Sequence, residues 1–158
     1  MRISAKADYA VRAAAELAAA SSGGRPVKGE HLAAAQGIPP KFLENILADL
    51  RNAGLVSTRR GAEGGYALTR APSEISVAEV LRAVEGPLAA VQGSRPEGLH
   101  YQGAAARLPE VWVALRANLR AVLERVTLAD LAAGTLPESV ATLTTTADAW
   151  QPHRRDRA

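Results

Sequence analysis

Four side chains within the first sixty residues could act together chemically: Lys41, Asn45, Arg59 and Arg60. Their chemistry is recognition, not bond-making. An asparagine amide can pair bidentately with adenine. Lysine offers a point charge to phosphate, and arginine a rigid, weakly hydrated fork of donors suited to phosphate or a narrow minor groove. The residue types needed for catalysis or metal ligation are missing or scattered. Cysteine is absent, which removes disulfides, thiolate nucleophiles and thiolate-held iron–sulfur centres. His31, His100 and His153 lie far apart, and GAEGG at 61–65 is neither a G-x-G-x-x-G nor a phosphate-loop pattern. His100 has Glu97 nearby, but a metal would require further ligands from elsewhere. No enzyme activity, metal or cofactor is expected.

The elements that must carry these four side chains follow from punctuation and periodicity. Residues 4–20 are alanine-rich and free of Gly and Pro, with Tyr9, Ala13, Leu17 and Ala20 at helical spacing. A second helix spans about 28–36, with Leu32 and Ala35 turned inward, and stops at Gly37. A third begins at Pro39-Pro40 and runs to about 53, with Phe42, Leu43, Ile46, Leu47 and Leu50 as its apolar stripe. The spacing Ala33-x3-Gly37-x5-Leu43-x2-Ile46 is that of a helix-turn-helix. A small residue lets the helices approach, glycine makes the turn, and apolar positions lock the second helix across the first. The outward positions left over are Lys41, Glu44, Asn45, Asp49 and Arg51. Two short strands, Leu55–Arg59 and Gly65–Thr69, then form a hairpin whose tip carries Arg59, Arg60 and Gly61. A helix-turn-helix followed at once by a basic hairpin is a winged-helix arrangement.

Beyond the hairpin, SVAE at 76–79 is a capping box opening a helix to about Glu85. Residues 88–107 read as a loop. Leu108, Trp112, Leu115, Leu119, Val122 and Val126 are spaced 4, 3, 4, 3, 4, a heptad seam. Such a stripe packs against a second copy or within one subunit. Thr127 with Asp130 caps one further turn, ended by Gly134, and the Thr/Ala-rich residues 135–158 read as a poorly ordered tail. Residues 1–70 hold ten Lys/Arg against six Asp/Glu, a net +4 that exceeds the +3 of the whole chain, so the basic excess sits where the recognition side chains are. No apolar run approaches the ~20 residues of a membrane-spanning helix, and the start MRISAKADYAVR is too charged for a signal peptide. A cytoplasmic protein without membrane association is expected.

Three stretches carry a specific resemblance. MRISAKADYAVRA, LAAAQGIPPKFLENILADLRNAGLVSTRRGAEGGYALTR and EISVAEVLRAVEGPLA resemble the Rrf-two family of bacterial transcription regulators. The resemblance implies a mainly α (α+β) fold: a winged helix-turn-helix with a two-stranded wing over 1–87, a loop over 88–107, and a long C-terminal dimerisation helix within 108–134. It implies a homodimer joined through Leu108, Trp112, Leu115, Leu119, Val122 and Val126, with double-stranded DNA as partner. DNA contacts would come from the start of the recognition helix and from the wing: Lys41, Phe42 and Asn45, then Arg59, Arg60 and Gly61. Lys28, Arg51 and Tyr66 complete the expected set, and Phe42 serves equally as core. Sensor members hold an iron–sulfur cluster through three cysteines in the loop matching 88–107, helped in some by a residue near position 8. This chain has none of the cysteines, and Asp8 stands at that place.

The expected activity is that of a DNA-binding transcription regulator, a repressor that reads a partly palindromic operator as a homodimer. The alternatives are a winged helix used for protein interaction, or a regulator controlled by a partner protein or small molecule.

Overall fold

A computed structural model of the chain describes residues 2–151. Residues 152–158 of the expected tail, with His153, lie outside the described residues.

Helix α1 (Ala5–Ala20) starts at Ser4, whose hydroxyl accepts from the Ala7 N–H at 3.0 Å. Its buried face is Ala7, Ala10, Ala13, Ala14, Leu17 and Ala18, wider than the stripe expected from the sequence. Helices α2 (Gly29–Gln36) and α3 (Pro40–Asn52) follow. Between them Gly37 takes φ 61°, a left-handed conformation that costs glycine little, and its N–H caps the Ala33 carbonyl. Ala33 and Leu32 are the buried residues of α2, while Ala35, expected inward, is exposed. Leu43, Ile46, Leu47 and Leu50 form the fully buried stripe of α3.

Strands β1 (Val56–Arg59) and β2 (Gly65–Leu68) pair antiparallel, with Val56 opposite Leu68 and Arg59 opposite Gly65. Val27 adds a third, bridge-like rung: the Val27 N–H donates to the Tyr66 carbonyl and the Tyr66 N–H to that of Val27, each at 2.8 Å. This bridge ties the hairpin to the chain two residues before α2. The result is a winged helix-turn-helix.

Helix α4 (Val77–Glu85) packs on α1. Helix α5 (Leu108–Leu123) is a 16-residue element without one buried residue, and α6 (Leu128–Ala133) returns to α1 with Leu128 fully buried in the winged-helix core. The return is stitched by backbone: the Val77 N–H donates to the Val126 carbonyl and the Leu128 N–H to that of Ile75, both at 2.9 Å. Val126 is accordingly buried inside the protomer, against Val77 and Val140. The expected seam therefore loses its last member, because α5 ends at Leu123 and the backbone turns inward. Residues beyond Gly134 are not a structureless tail as far as described. Helix α7 (Glu138–Ala141) is anchored by buried Val140, and 3-10 turns run to Trp150. The 88–107 segment also contains 3-10 turns, at Pro96–Gly98 and Gly103–Ala105.

Two capping boxes flank the stitch. The Ser76 N–H donates to Glu79 at 3.0 Å and the Glu79 N–H returns to the Ser76 hydroxyl. Thr127 and Asp130 repeat the arrangement, with the Thr127 N–H donating at 2.8 Å. Burial pushes the Glu79 carboxyl up, but hydrogen bonds from the Ser76 backbone and the Arg70 guanidinium outweigh it and the net shift is downward. The Thr127 N–H, then its hydroxyl, hold the Asp130 carboxyl below its ordinary range. Folded values below unfolded ones mean stabilisation that is complete above the ordinary carboxylate range. It is lost as the pH falls through the lowered folded values, below about pH 4. Glu79→Gln combined with Asp130→Asn should therefore reduce stability at neutral pH and flatten its decline between about pH 5 and 3. Urea unfolding across that range checks this, and an unchanged pH slope would show that the boxes are not the acid-sensitive joints.

Candidate nucleic-acid interface

Helix α3 is held by a different contact at each end. Near its start Phe42, 40% exposed, meets Tyr9 of α1 edge-on with ring centroids 5.6 Å apart. Near its end Asp49 pairs with Lys6 of α1 at 2.7 Å. Asp49, expected to face outward, is thus half-buried against α1. Arg12 lies 5.3 Å from the centre of the Tyr9 ring and donates from Nε to the Gln36 side chain at 3.0 Å. A second guanidinium nitrogen donates to the Gln36 carbonyl, one residue before the Gly37 turn. Lys6, Tyr9, Arg12 and Gln36 therefore fix the angle of α3 relative to α1. Their types carry no local signal, since each works through a partner on another element.

What remains free on α3 is its outer face. Lys41 is almost fully exposed and only loosely paired with Glu44 at 3.4 Å. Asn45 and Arg51 are exposed, and so is Asn52, which the sequence reading missed. On the hairpin Arg59, Arg60 and Gly61 are all exposed at the tip. Among the described residues neither arginine forms a salt bridge. Lys28 is exposed immediately before α2, next to the Val27–Tyr66 bridge. Tyr66 is half-buried and packs against the winged-helix core, so it supports the wing as well as standing in the expected contact set.

The sequence matches the Rrf2 family, described as iron-dependent transcriptional regulators, over residues 3–134. The chain belongs to the Rrf2 family of transcriptional regulators. A protein of Mycobacterium tuberculosis described as a helix-turn-helix-type transcriptional regulator is 57% identical over 143 residues, spanning 90% of this chain and 88% of the relative. The regulator CymR of Bacillus subtilis is 36% identical over 135 residues, 85% of this chain and 92% of its own. The solved structure of that protein, the global cysteine regulator of its organism, superposes with a TM-score of 0.71 over 85% of this chain and 98% of that one. IscR of T. potens superposes with a TM-score of 0.69 at 30% identity, covering 96% and 97%. An Rrf2-family chain is a DNA-binding transcriptional regulator.

The iron in the family description finds no matching donors here. The sequence has no cysteine, and among the described residues no three His, Cys, Asp or Glu side chains come together. Asp8 is engaged by Arg12 at 3.0 Å, and Glu97 by Arg116. This Rrf2 regulator lacks the donor set for an iron–sulfur cluster. No helix among the described residues is long and apolar enough to cross a membrane.

The wing is positioned by a close approach. A Cβ on Gly65 would lie 2.5 Å from the Val27 carbonyl oxygen and 3.1 Å from the Lys28 nitrogen, both backbone atoms that cannot swing aside. Gly65→Ala should therefore push the hairpin off Val27 at a cost of about 1–3 kcal/mol. Helix content should be retained and DNA affinity lowered, as read by circular dichroism, urea unfolding and a duplex titration. Stability and affinity both equal to the parent's would mean the bridge does not position the wing.

Proposed function

We propose that this Rrf2-family regulator is a homodimeric repressor. Two copies joined along α5 would present two α3–wing pairs to a partly palindromic operator, since a two-fold protein reads half-sites related by the same symmetry. In this reading Asn45 contacts base edges, while Lys41, Arg51 and Lys28 meet phosphate. Phe42 flanks the groove-facing surface, and Arg59, Arg60 and Gly61 of the wing track backbone or groove shape, buttressed by Tyr66.

The observation that carries the reading is the split of α3. One face is completely buried, and the opposite face, from Lys41 to Arg51, is left free of packing. The dimer is supported by α5, whose Leu108, Trp112, Leu115, Leu119 and Val122 are none of them buried in the isolated chain.

Paired titrations on a selected operator and on random duplex, each over a range of salt, test the reading. Arg59→Ala with Arg60→Ala should weaken both duplexes alike and lower the salt slope by roughly one to two units. Asn45→Ala should cost about 1–3 kcal/mol on the operator and far less on random DNA. Two chains should bind each operator. If the double arginine variant leaves both duplexes and both salt slopes unchanged, the wing does not touch DNA and a protein partner becomes the better occupant. One chain per operator would remove the dimer.

A further inference from the structure

Away from α3 and the wing, arginines from three elements converge on one concavity. Arg82 comes from α4, Arg95 from the 86–98 segment, and Arg116 and Arg120 from α5. The concavity has a volume of about 530 Å³ and a floor of Pro87, Leu88, Ala90 and the buried Pro96. Two carboxylates serve these four guanidiniums. Glu124 is shared by Arg82 and Arg120, the latter at 3.0 Å, and Glu97 is paired with Arg116. Four positive and two negative groups leave a formal charge of +2. Among the described residues the Arg95 side chain has no hydrogen bond or ion pair, and the Glu97 carboxyl is held below its ordinary range first by its own backbone N–H and then by Arg116, with Arg95 adding least.

An ordinary surface of this kind would interleave its charges one for one. Here like charges are gathered from separate elements into a partly enclosed space, where low-dielectric walls concentrate the field. Guanidinium forks are matched to carboxylate and phosphate oxygens, and a bidentate contact needs two oxygens on one ligand group. The volume lies within the range of small-molecule sites, roughly 300–1,000 Å³. The apolar floor leaves room for a short carbon skeleton beneath the charged groups.

We propose that this concavity binds a small, multiply charged anion bearing two or more carboxylate or phosphate groups, held by Arg95, Arg116, Arg120 and Arg82. Its anionic groups bridge the 86–98 segment, α4 and α5, which the Arg116–Glu97 and Arg82–Glu124 ion pairs already draw together. The site is separate from the proposed DNA-contacting surface, because none of its residues lies on α3 or the wing, although two of its arginines stand on α5.

Calorimetric titration of the full-length protein without DNA tests this, with citrate and pyrophosphate as probes and acetate as the singly charged control. One site per chain should saturate for at least one probe, and the stronger of the two identifies carboxylate or phosphate as the preferred group. Acetate should bind at least about tenfold more weakly. Arg95→Gln should weaken the preferred probe at least about tenfold. Arg107→Gln, which removes the arginine that immediately precedes α5 and lies outside the concavity, should leave it within about twofold. Three results would overturn the proposal: no saturable binding of either probe up to about 10 mM, acetate binding as well as the polyanions, or equal affinity in the Arg95→Gln and parent proteins.

Discussion

The packing of α1 through alanine sets the geometry on which the rest of the chain depends. Ala7, Ala10, Ala13, Ala14 and Ala18 present little more than methyl groups to their neighbours. The separation of packed helices follows the size of the side chains between them. Helices α2, α3, α4 and α6 all pack on this one helix, an arrangement that bulky side chains on α1 would force apart. The price is a modest apolar area per residue. It is offset by the large side chains that neighbouring elements bring, Leu32, Leu43, Ile46, Leu50, Ile75 and Leu128 among them.

Because α3 is held against a fixed pillar, its orientation is set by a few polar contacts and not by volume alone. The Lys6–Asp49 pair and the Tyr9–Phe42 edge contact act at opposite ends of the helix, and Arg12 secures the turn that feeds it. All three are partly solvated, so each contributes modestly to stability. Their effect is on angle. On the proposed reading, a recognition helix whose tilt varied would carry Asn45 in and out of reach of a base edge. The wing is set by a separate device, the backbone bridge from Val27 to Tyr66 and the missing Cβ at Gly65.

How much of this was legible in the sequence depended on contrast between the faces of each element. Helix α3 has large apolar residues on one side and polar ones on the other, so its boundaries, buried stripe and most of its free face could be read directly. Helices α1 and α2 are alanine on nearly every side, and hydropathy cannot choose between Ala33 and Ala35 when packing alone decides. Spacing put Val126 in the α5 seam, but spacing is blind to where a helix stops. The turn at Glu124 and Arg125 carries Val126 into the protomer instead. Val140 is one buried side chain in a Thr/Ala-rich stretch, and composition averages such an anchor away. Asp49 looked free because its partner, Lys6, is forty-three positions earlier on another helix. The arginine concavity was hidden likewise, since its residues are dispersed from Arg82 to Arg120 and meet only when α5 folds beside α4.

The central claim is that the free face of α3 and the wing tip are the surfaces that meet DNA. Site-specific photo-crosslinking measures it most directly. The full-length chain would carry the crosslinking side chain at position 45, 60 or 136, one at a time, on an operator selected from random duplex. Position 136, where Leu136 is exposed beyond α6, serves as the reference surface. The structure predicts base-centred adducts from position 45, backbone or minor-groove adducts from position 60, and none from position 136. Adducts from position 136 with none from 45 or 60 would contradict it, and DNA would then lie against another face of the molecule.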